Sequence, residues 1–215
     1  MKKILALFLA LAMTFALVAC GDKASDEGQT NTDGDTTNQT SGETIRIGIA
    51  APLTGTSAAY GELMVDGAQI AIDEVNANGG VNGKMLELVK MDDKNDPSEA
   101  ALVAQRFCDD DTITAVIAHG GSTNTLAGAP IYEAAGMPFI GPSSNNPTLT
   151  ELGYEYFVRL GLRDDRCGNQ VVAMIVNNLG IKKLGVIYAN NDYGVGNLEA
   201  ATAAATSLGA EVVDS

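Results

Sequence analysis

Four short stretches of the chain concentrate the groups that could hold a small molecule: residues 52–60, 119–123, 142–146 and 190–193. They are built from Gly, Ser, Thr, Asn and Tyr, with no dense charge. Small hydroxyls beside a helix start suit an anion such as a carboxylate, because the first N–H groups of a helix lack intrahelical acceptors and carry the positive end of its dipole. Ser122, Ser143, Ser144 and Asn145 are the candidates for polar contact. Tyr60 and Tyr193 are candidate walls, since a tyrosine covers an apolar group with its ring and offers one polar tip. Each has a plainer role open to it. Ser122 could cap the helix after Gly121, residues 143–145 could form a turn ahead of Pro147, and the tyrosines could be packing residues.

Catalytic chemistry finds little support in the same residues. His119 is the sole histidine. His119-Gly120-Gly121 has the look of an esterase oxyanion loop, but no Gly-x-Ser-x-Gly elbow accompanies it and the histidine is misplaced for a triad. Neither Gly-x-x-x-x-Gly-Lys nor Gly-x-Gly-x-x-Gly occurs, so no phosphate-binding loop is expected. Cys108 and Cys167 have no Cys-x-x-Cys partner and no nearby histidine, which argues against a metal. They are far apart in sequence; an exported pair could form a disulfide, and two buried free thiols is the favoured reading. No catalytic residue, cofactor or metal is assigned.

The candidate residues need a scaffold, and the hydrophobic pattern supplies one. Ile45, Ile47 and Ile49 alternate as on a strand. Met64, Ala68, Ala71, Ile72 and Val75 share one face of a helix that Gly79 and Gly80 end. Asn82-Gly83 predicts a tight turn into a strand containing Leu86 and Leu88. Asp96-Pro97-Ser98-Glu99 reads as an N-cap, a proline in the first turn and a glutamate three residues after the cap. Strands are expected over 114–119, 138–141, 156–160 and 183–189, with another beginning at 210–213. Helices are expected after Gly121, over 165–178 up to Gly180, and over 196–208. Regular alternation of this kind predicts an α/β fold with a doubly wound parallel sheet rather than a mixed α+β sheet. Ligands of such sheets sit outside the carboxyl ends of the strands, where the four polar stretches fall.

Composition narrows the partners. Hydrophobic residues make up 46% and aromatics 5%, with no Trp, so the core is expected to consist of Val, Ile, Leu, Ala and Met. A formal charge of −14 repels phosphate backbones and excludes nucleic acid as a partner. At the N-terminus, Lys2 and Lys3 precede an apolar run from Ile4 to Val18, interrupted by Thr14. It is too short to span a membrane comfortably and has the layout of a secretory signal over residues 1–19. Leu17-Val18-Ala19-Cys20 resembles a bacterial lipobox, which would make Cys20 the lipidated N-terminus. Residues 20–43 are rich in Asp, Gly, Thr, Asn, Ser and Gln and read as a disordered tether between lipid and domain.

From Thr44 onward the chain is similar to the type I periplasmic binding proteins, and within them to the branched-chain amino acid receptors. The resemblance is carried by Ile47-Gly48-Ile49 with Pro52-Leu53-Thr54-Gly55, the run from Gly67 to Asn76, and Gly79-Gly80-Val81-Asn82-Gly83. Asp92-Asp93 with Asp96-Pro97, Pro130-Ile131-Tyr132, Asn145-Asn146-Pro147 with Leu149-Thr150, and Asn191-Asp192-Tyr193-Gly194 complete it. It implies two Rossmann-like lobes closing over a ligand: a first lobe at 44–160 and a partial, truncated second lobe at 161–215. It also implies that Ser122 meets the ligand carboxylate and that the 143–145 loop supplies backbone groups and a hydroxyl. Tyr60 and Tyr193 fall at aromatic contact positions. Asn145 departs from the Thr or Ser usual there. The acidic group that receives the ligand ammonium would lie beyond Ser215. The implied role is a substrate-binding lipoprotein of an ABC transporter that captures branched-chain or related amino acids, with leucine, isoleucine and valine leading, and delivers them to a membrane permease. It would sit on the outer face of the cell membrane, or in the periplasm of a Gram-negative cell. An extracellular sensing domain on the same fold is the alternative.

Overall fold

The first strand, β1 (Ile45–Ala51), lies inside the sheet and is hidden on both faces towards its carboxyl end, where Gly48, Ile49, Ala50 and Ala51 are all buried. Its isoleucine alternation therefore describes one face, and Gly48 occupies the other. A Cβ at Gly48 would lie 2.8 Å from the Phe107 ring, so the helix behind it can approach only a glycine. The computed structural model of the protein describes residues 44–215. The signal-like segment 1–19, Cys20 and the tether to residue 43 lie outside the described residues.

β1 pairs in parallel with β2 (Leu86–Asp92) on one side and β3 (Ile113–Ile117) on the other. β4 (Phe139–Gly141) and β5 (Phe157–Arg159) extend the sheet, giving the order β2-β1-β3-β4-β5 with every pair parallel. Helices α1 (Ala58–Ala77), α2 (Pro97–Cys108) and α3 (Ser122–Ala135) are the crossovers. Right-handed crossovers put α1 on one face and α2 with α3 on the other. The doubly wound, parallel α/β architecture expected from the sequence is what the chain forms.

Local chemistry sets the element ends. Asp96 accepts from the backbone N–H of Ser98 at 2.8 Å and of Glu99 at 3.0 Å, with Pro97 in the first turn of α2. Glu99 turns to Lys94, 2.8 Å away. Asn82 and Gly83 both have positive φ, and Val81 and Lys84 bridge across them as the Asn-Gly turn requires. On α1, Val65 and Ile72 are buried and Met64, Ala68 and Val75 half-buried, but Ala71 is exposed, one step off the packed stripe.

The core between the sheet and α2–α3 corrects the expectation of a purely aliphatic interior. Phe107, Tyr132 and Phe139 are among its largest fully buried side chains. The rings of Tyr132 and Phe157 each lie 4.9 Å from that of Phe139. A few aromatics suffice because each buries far more area than an alanine or valine. Cys108 and Cys167 are free, but both are partly exposed rather than buried.

Beyond β5, α4 (Asp164–Ala173) runs on as a π-helical turn, Met174–Asn178. β6 (Lys183–Gly185) and β7 (Glu211–Asp214) form a separate parallel pair with α5 (Asp192–Ser207) between them. Val172, Val176, Ala204 and Ala205 make their core. Two boundaries differ from the sequence pattern. The strand expected over 183–189 stops at Gly185, and Ile187 is fully exposed. The helix expected from Gly196 begins at Asp192, because Asn191 caps it by accepting from Gly194 N–H at 2.9 Å.

Candidate functional site

The loop leaving β3 is held from beneath by a buried polar network. His119 follows the strand and is fully buried, with Nδ1 2.8 Å from Asp93 Oδ2 at the end of β2. Its backbone N–H donates to Thr125 Oγ1 at 3.1 Å, and Thr125 meets Ser144 Oγ at 2.5 Å. Tyr132 OH lies 3.4 Å from His119 Nε2, and burial pushes the phenol's pKa upward. These bonds tie the loops after β2, β3 and β4 together. The sole histidine is therefore a strut.

Above this network lies a cleft of about 290 Å³ at the carboxyl ends of the strands. It is lined by Gly120 and Gly121 of the β3–α3 connection, by Ser122, Thr123 and Asn124 of the first turn of α3, and by Ser143 and Asn145. Asn95 contributes from the loop after β2, and Asn191 and Tyr193 from the start of α5. No charged or aliphatic residue belongs to this lining. The N-cap of α3 is Gly121, and no side chain caps the helix. Its first-turn N–H groups, at Ser122, Thr123 and Asn124, thus lack the side-chain acceptor that Asp96 gives α2 and Asn191 gives α5. Asn124 is buried, and its Nδ2 has no hydrogen-bond partner among the described residues.

The candidate residues separate into three groups. Ser122, Ser143, Asn145 and Tyr193 line the cleft together. Ser122 is not the cap but the first helical residue; its Oγ accepts from Asn146 N–H at 3.2 Å and keeps its own proton to donate. Ser143 Oγ accepts from Tyr60 OH at 2.6 Å and donates to Gly120 O at 3.3 Å. Tyr60 itself is outside the lining and props Ser143 from the side. Ser144 is fully buried, and its hydroxyl serves the network beneath. Tyr193 lies within the first turn of α5 rather than in a loop. Asn145 Oδ1 is buried without a partner among the described residues and rests against Gly161, where a Cβ would come within 2.2 Å of it.

Three contributors escaped the sequence reading. Asn95 belongs to a fifth strand-end loop, after β2, which the strand-end rule would have selected. Asn124 carries no such signal, because it lies inside a helix pattern. Arg159 acts from behind: its guanidinium donates to Ser144 O at 3.3 Å, to Asn146 O at 2.8 Å and to Thr150 Oγ1 at 2.5 Å. Burial lowers the Arg159 pKa, with Arg163 adding to the effect. Asp92 anchors the loop that enters α1, accepting from Leu53 N–H at 2.8 Å and from Thr54 Oγ1 at 2.5 Å. Burial raises its pKa, but the hydrogen bonds from Thr54, Lys94 and Leu53 outweigh it and hold the carboxyl below its usual value.

Two bonds join the first sheet's loops to α5. Asp192 N–H donates to Thr123 Oγ1 at 3.1 Å, and Asn146 Nδ2 donates to Asp192 O at 2.6 Å. The N-termini of α3 and α5 are thereby held together at one cleft, which both line. Among the described residues no cluster of His, Cys, Asp and Glu could hold a metal ion.

Known proteins are similar to this chain in sequence and fold. An "Amino acid binding protein" from Pseudomonas aeruginosa is 40% identical over 169 residues, covering 79% of this chain and 45% of the relative. The "Leucine-specific-binding protein" of Salmonella typhimurium is 34% identical over 152 residues, covering 71% and 41%. Among solved structures, a leucine binding protein from Thermotoga maritima superposes with a TM-score of 0.74 at 32% identity, over 80% of this chain and 48% of that one. A substrate-binding protein from Desulfitobacterium hafniense in complex with Leu gives 0.70 at 33% identity, over 80% and 50%. The chain thus spans about half the length of the relatives it matches. The sequence model of the family described as "Periplasmic binding protein" matches residues 44–215, and with the fold and cleft above it establishes that the chain belongs to the periplasmic binding protein family.

Proposed function

We propose that this chain belongs to the substrate-binding component of an ABC transporter and captures a small α-amino acid outside the cytoplasm. The observation that carries the reading is the uncapped start of α3, facing a charge-free cleft beside the unpartnered Nδ2 of buried Asn124. A ligand carboxylate would accept from the first-turn N–H groups, the Ser122 hydroxyl and Asn124 Nδ2, where the helix dipole favours negative charge. Ser143, Asn145 and Tyr193 would surround the rest of the molecule, and Tyr60 would hold Ser143 in place. Ser144 contributes by fixing the loop. The relatives named for leucine, and one from Pseudomonas aeruginosa named for leucine, isoleucine, valine, threonine and alanine, support the amino-acid class.

The two sheets would act as lobes, residues 44–160 and the segment from 161 onward. Ligand held by α3 would be met by the start of α5, and a closed form stabilised this way would be recognised by a membrane permease. Closure follows only if ligand prefers the closed state. Lipidation of Cys20 would keep the protein at the membrane surface, with residues 20–43 as the tether. Binding, not bond-breaking, is the role proposed. Titration by NMR with amino acids and with their α-carboxamides tests it. The acids should shift the amide resonances of residues 120–124, and the carboxamides should not. Equal binding of both kinds would remove the helix-start carboxylate site.

A further inference from the structure

We infer that Asn146 is a positioning residue that couples the carboxylate site to the second sheet: it orients the Ser122 hydroxyl and clamps the start of α5 beside it. The inference rests on the amino-acid reading above and adds how ligand contact is passed on to α5.

Asn146 is buried, and each of its four polar groups is engaged. Its N–H donates to Ser122 Oγ at 3.2 Å and its Nδ2 to Asp192 O at 2.6 Å. Its Oδ1 accepts from Thr148 N–H at 2.9 Å, and its carbonyl accepts from the Arg159 guanidinium at 2.8 Å. A carbonyl on one side and an N–H on the other fix which end of the amide faces α5. The bond to Ser122 uses the hydroxyl as acceptor, which leaves its proton for a ligand oxygen. A hydroxyl that donates to an anion is also a better acceptor, so ligand on Ser122 tightens the bond to Asn146 and, through it, the hold on Asp192. Linkage is reciprocal: holding α5 in place favours ligand at Ser122 to the same extent.

Two further features belong to the clamp. Asp192 N–H, at the start of α5, has no acceptor within its own helix and donates to Thr123 Oγ1 at 3.1 Å. Gly196 is buried on the same side of α5, and a Cβ there would lie 2.9 Å from Asn146 Nδ2. Only a glycine lets the helix come this close.

Asn146→Ser and Gly196→Ala attack the clamp from its two sides. Serine keeps an oxygen to cap Thr148 and keeps the backbone bonds, but loses the donor to Asp192. Alanine favours the helix by its propensity, so any loss it causes comes from the contact with Asn146. The ¹⁵N-labelled full chain in detergent gives two readouts: hydrogen exchange at the Asp192 amide, and affinity for leucine, valine and threonine from the amides of residues 120–124. Each variant is expected to speed Asp192 exchange and weaken binding by about threefold to tenfold, with the amides of β1 unchanged. The double variant should be no worse than Asn146→Ser alone, because the shorter serine leaves room for the methyl group. Unchanged Asp192 exchange in both single variants, or losses that simply add in the double variant, would overturn the inference and leave the amino-acid reading intact. If none of the three amino acids moves residues 120–124 in the parent, the amino-acid reading falls, and the coupling with it.

Discussion

At the scale of single residues, the cleft depends on groups that never touch it. Asp92 illustrates this. Its carboxylate fixes Leu53 and Thr54, which begin the loop that delivers Tyr60 to Ser143. Its pKa is depressed in the folded chain, so the stability it adds is complete above the ordinary carboxylate pKa, about 3.9. It is lost as pH falls through that value towards the folded one. Asp165 has the same sign, through its hydrogen bonds from Arg163. Asp164 has the opposite sign: burial dominates and raises its pKa, so acid relieves a cost there. Thermal unfolding followed between pH about 5 and about 2 should show a loss of stability that Asp92→Asn makes shallower. An unchanged slope would mean the Asp92 bonds contribute nothing. Ser144 shows why residue type alone misleads. Ser143 and Ser144 are indistinguishable as letters, yet one faces the cleft and the other the Thr125 hydroxyl. Only the alternation of the chain past β4 separates them.

At the scale of elements, hydrophobic period and cap chemistry were the legible part. Asp96-Pro97 started α2 where expected, and Asn82-Gly83 made its turn. The start of α5 was missed because Asn191 caps a helix whose first turn, Asp-Tyr-Gly-Val, has weak helix propensity. Packing of α5 on α4 outweighs it: the two helices come so close that a Cβ on Gly168 would lie 3.4 Å from Ala200 Cβ. The Ser144–Asn146 loop depends on β5 in a way that no local pattern displays. Arg159 spans three acceptors with one planar group, and two of them are carbonyls of that loop. A lysine is a point charge and cannot reproduce the fork. Arg159→Lys should therefore cost about 1–3 kcal/mol in denaturant unfolding and weaken amino-acid binding through a displaced loop. A variant as stable as the parent, with unchanged binding, would show that the loop holds itself.

At the scale of the whole molecule, the parallel order and crossovers were readable because alternation of strand and helix leaves few alternatives. The joining of two sheets at one cleft was not, since Thr123, Asn146 and Asp192 meet from positions up to 69 residues apart. Ile140 and Val158 are paired neighbours on β4 and β5, and with Leu160 beyond the strand they remain exposed. Burial and binding are thus unevenly shared. The floor of the first sheet is closed and heavily bonded, while the start of α3 is left without a cap. A helix start without a cap gives up stability, and ligand binding would recover it.

Gly121→Asp puts that exchange to the test. A Cβ at Gly121 meets nothing within 4 Å, and the residue is extended, so aspartate fits without strain. Its carboxylate would bond the free N–H groups of the first turn, as Asp96 does on α2. The variant should be as stable as the parent or more so by a few tenths of a kcal/mol, and should lose amino-acid binding because the anion site is already filled. An aspartate variant that folds equally well and binds amino acids like the parent would contradict the carboxylate site at the start of α3.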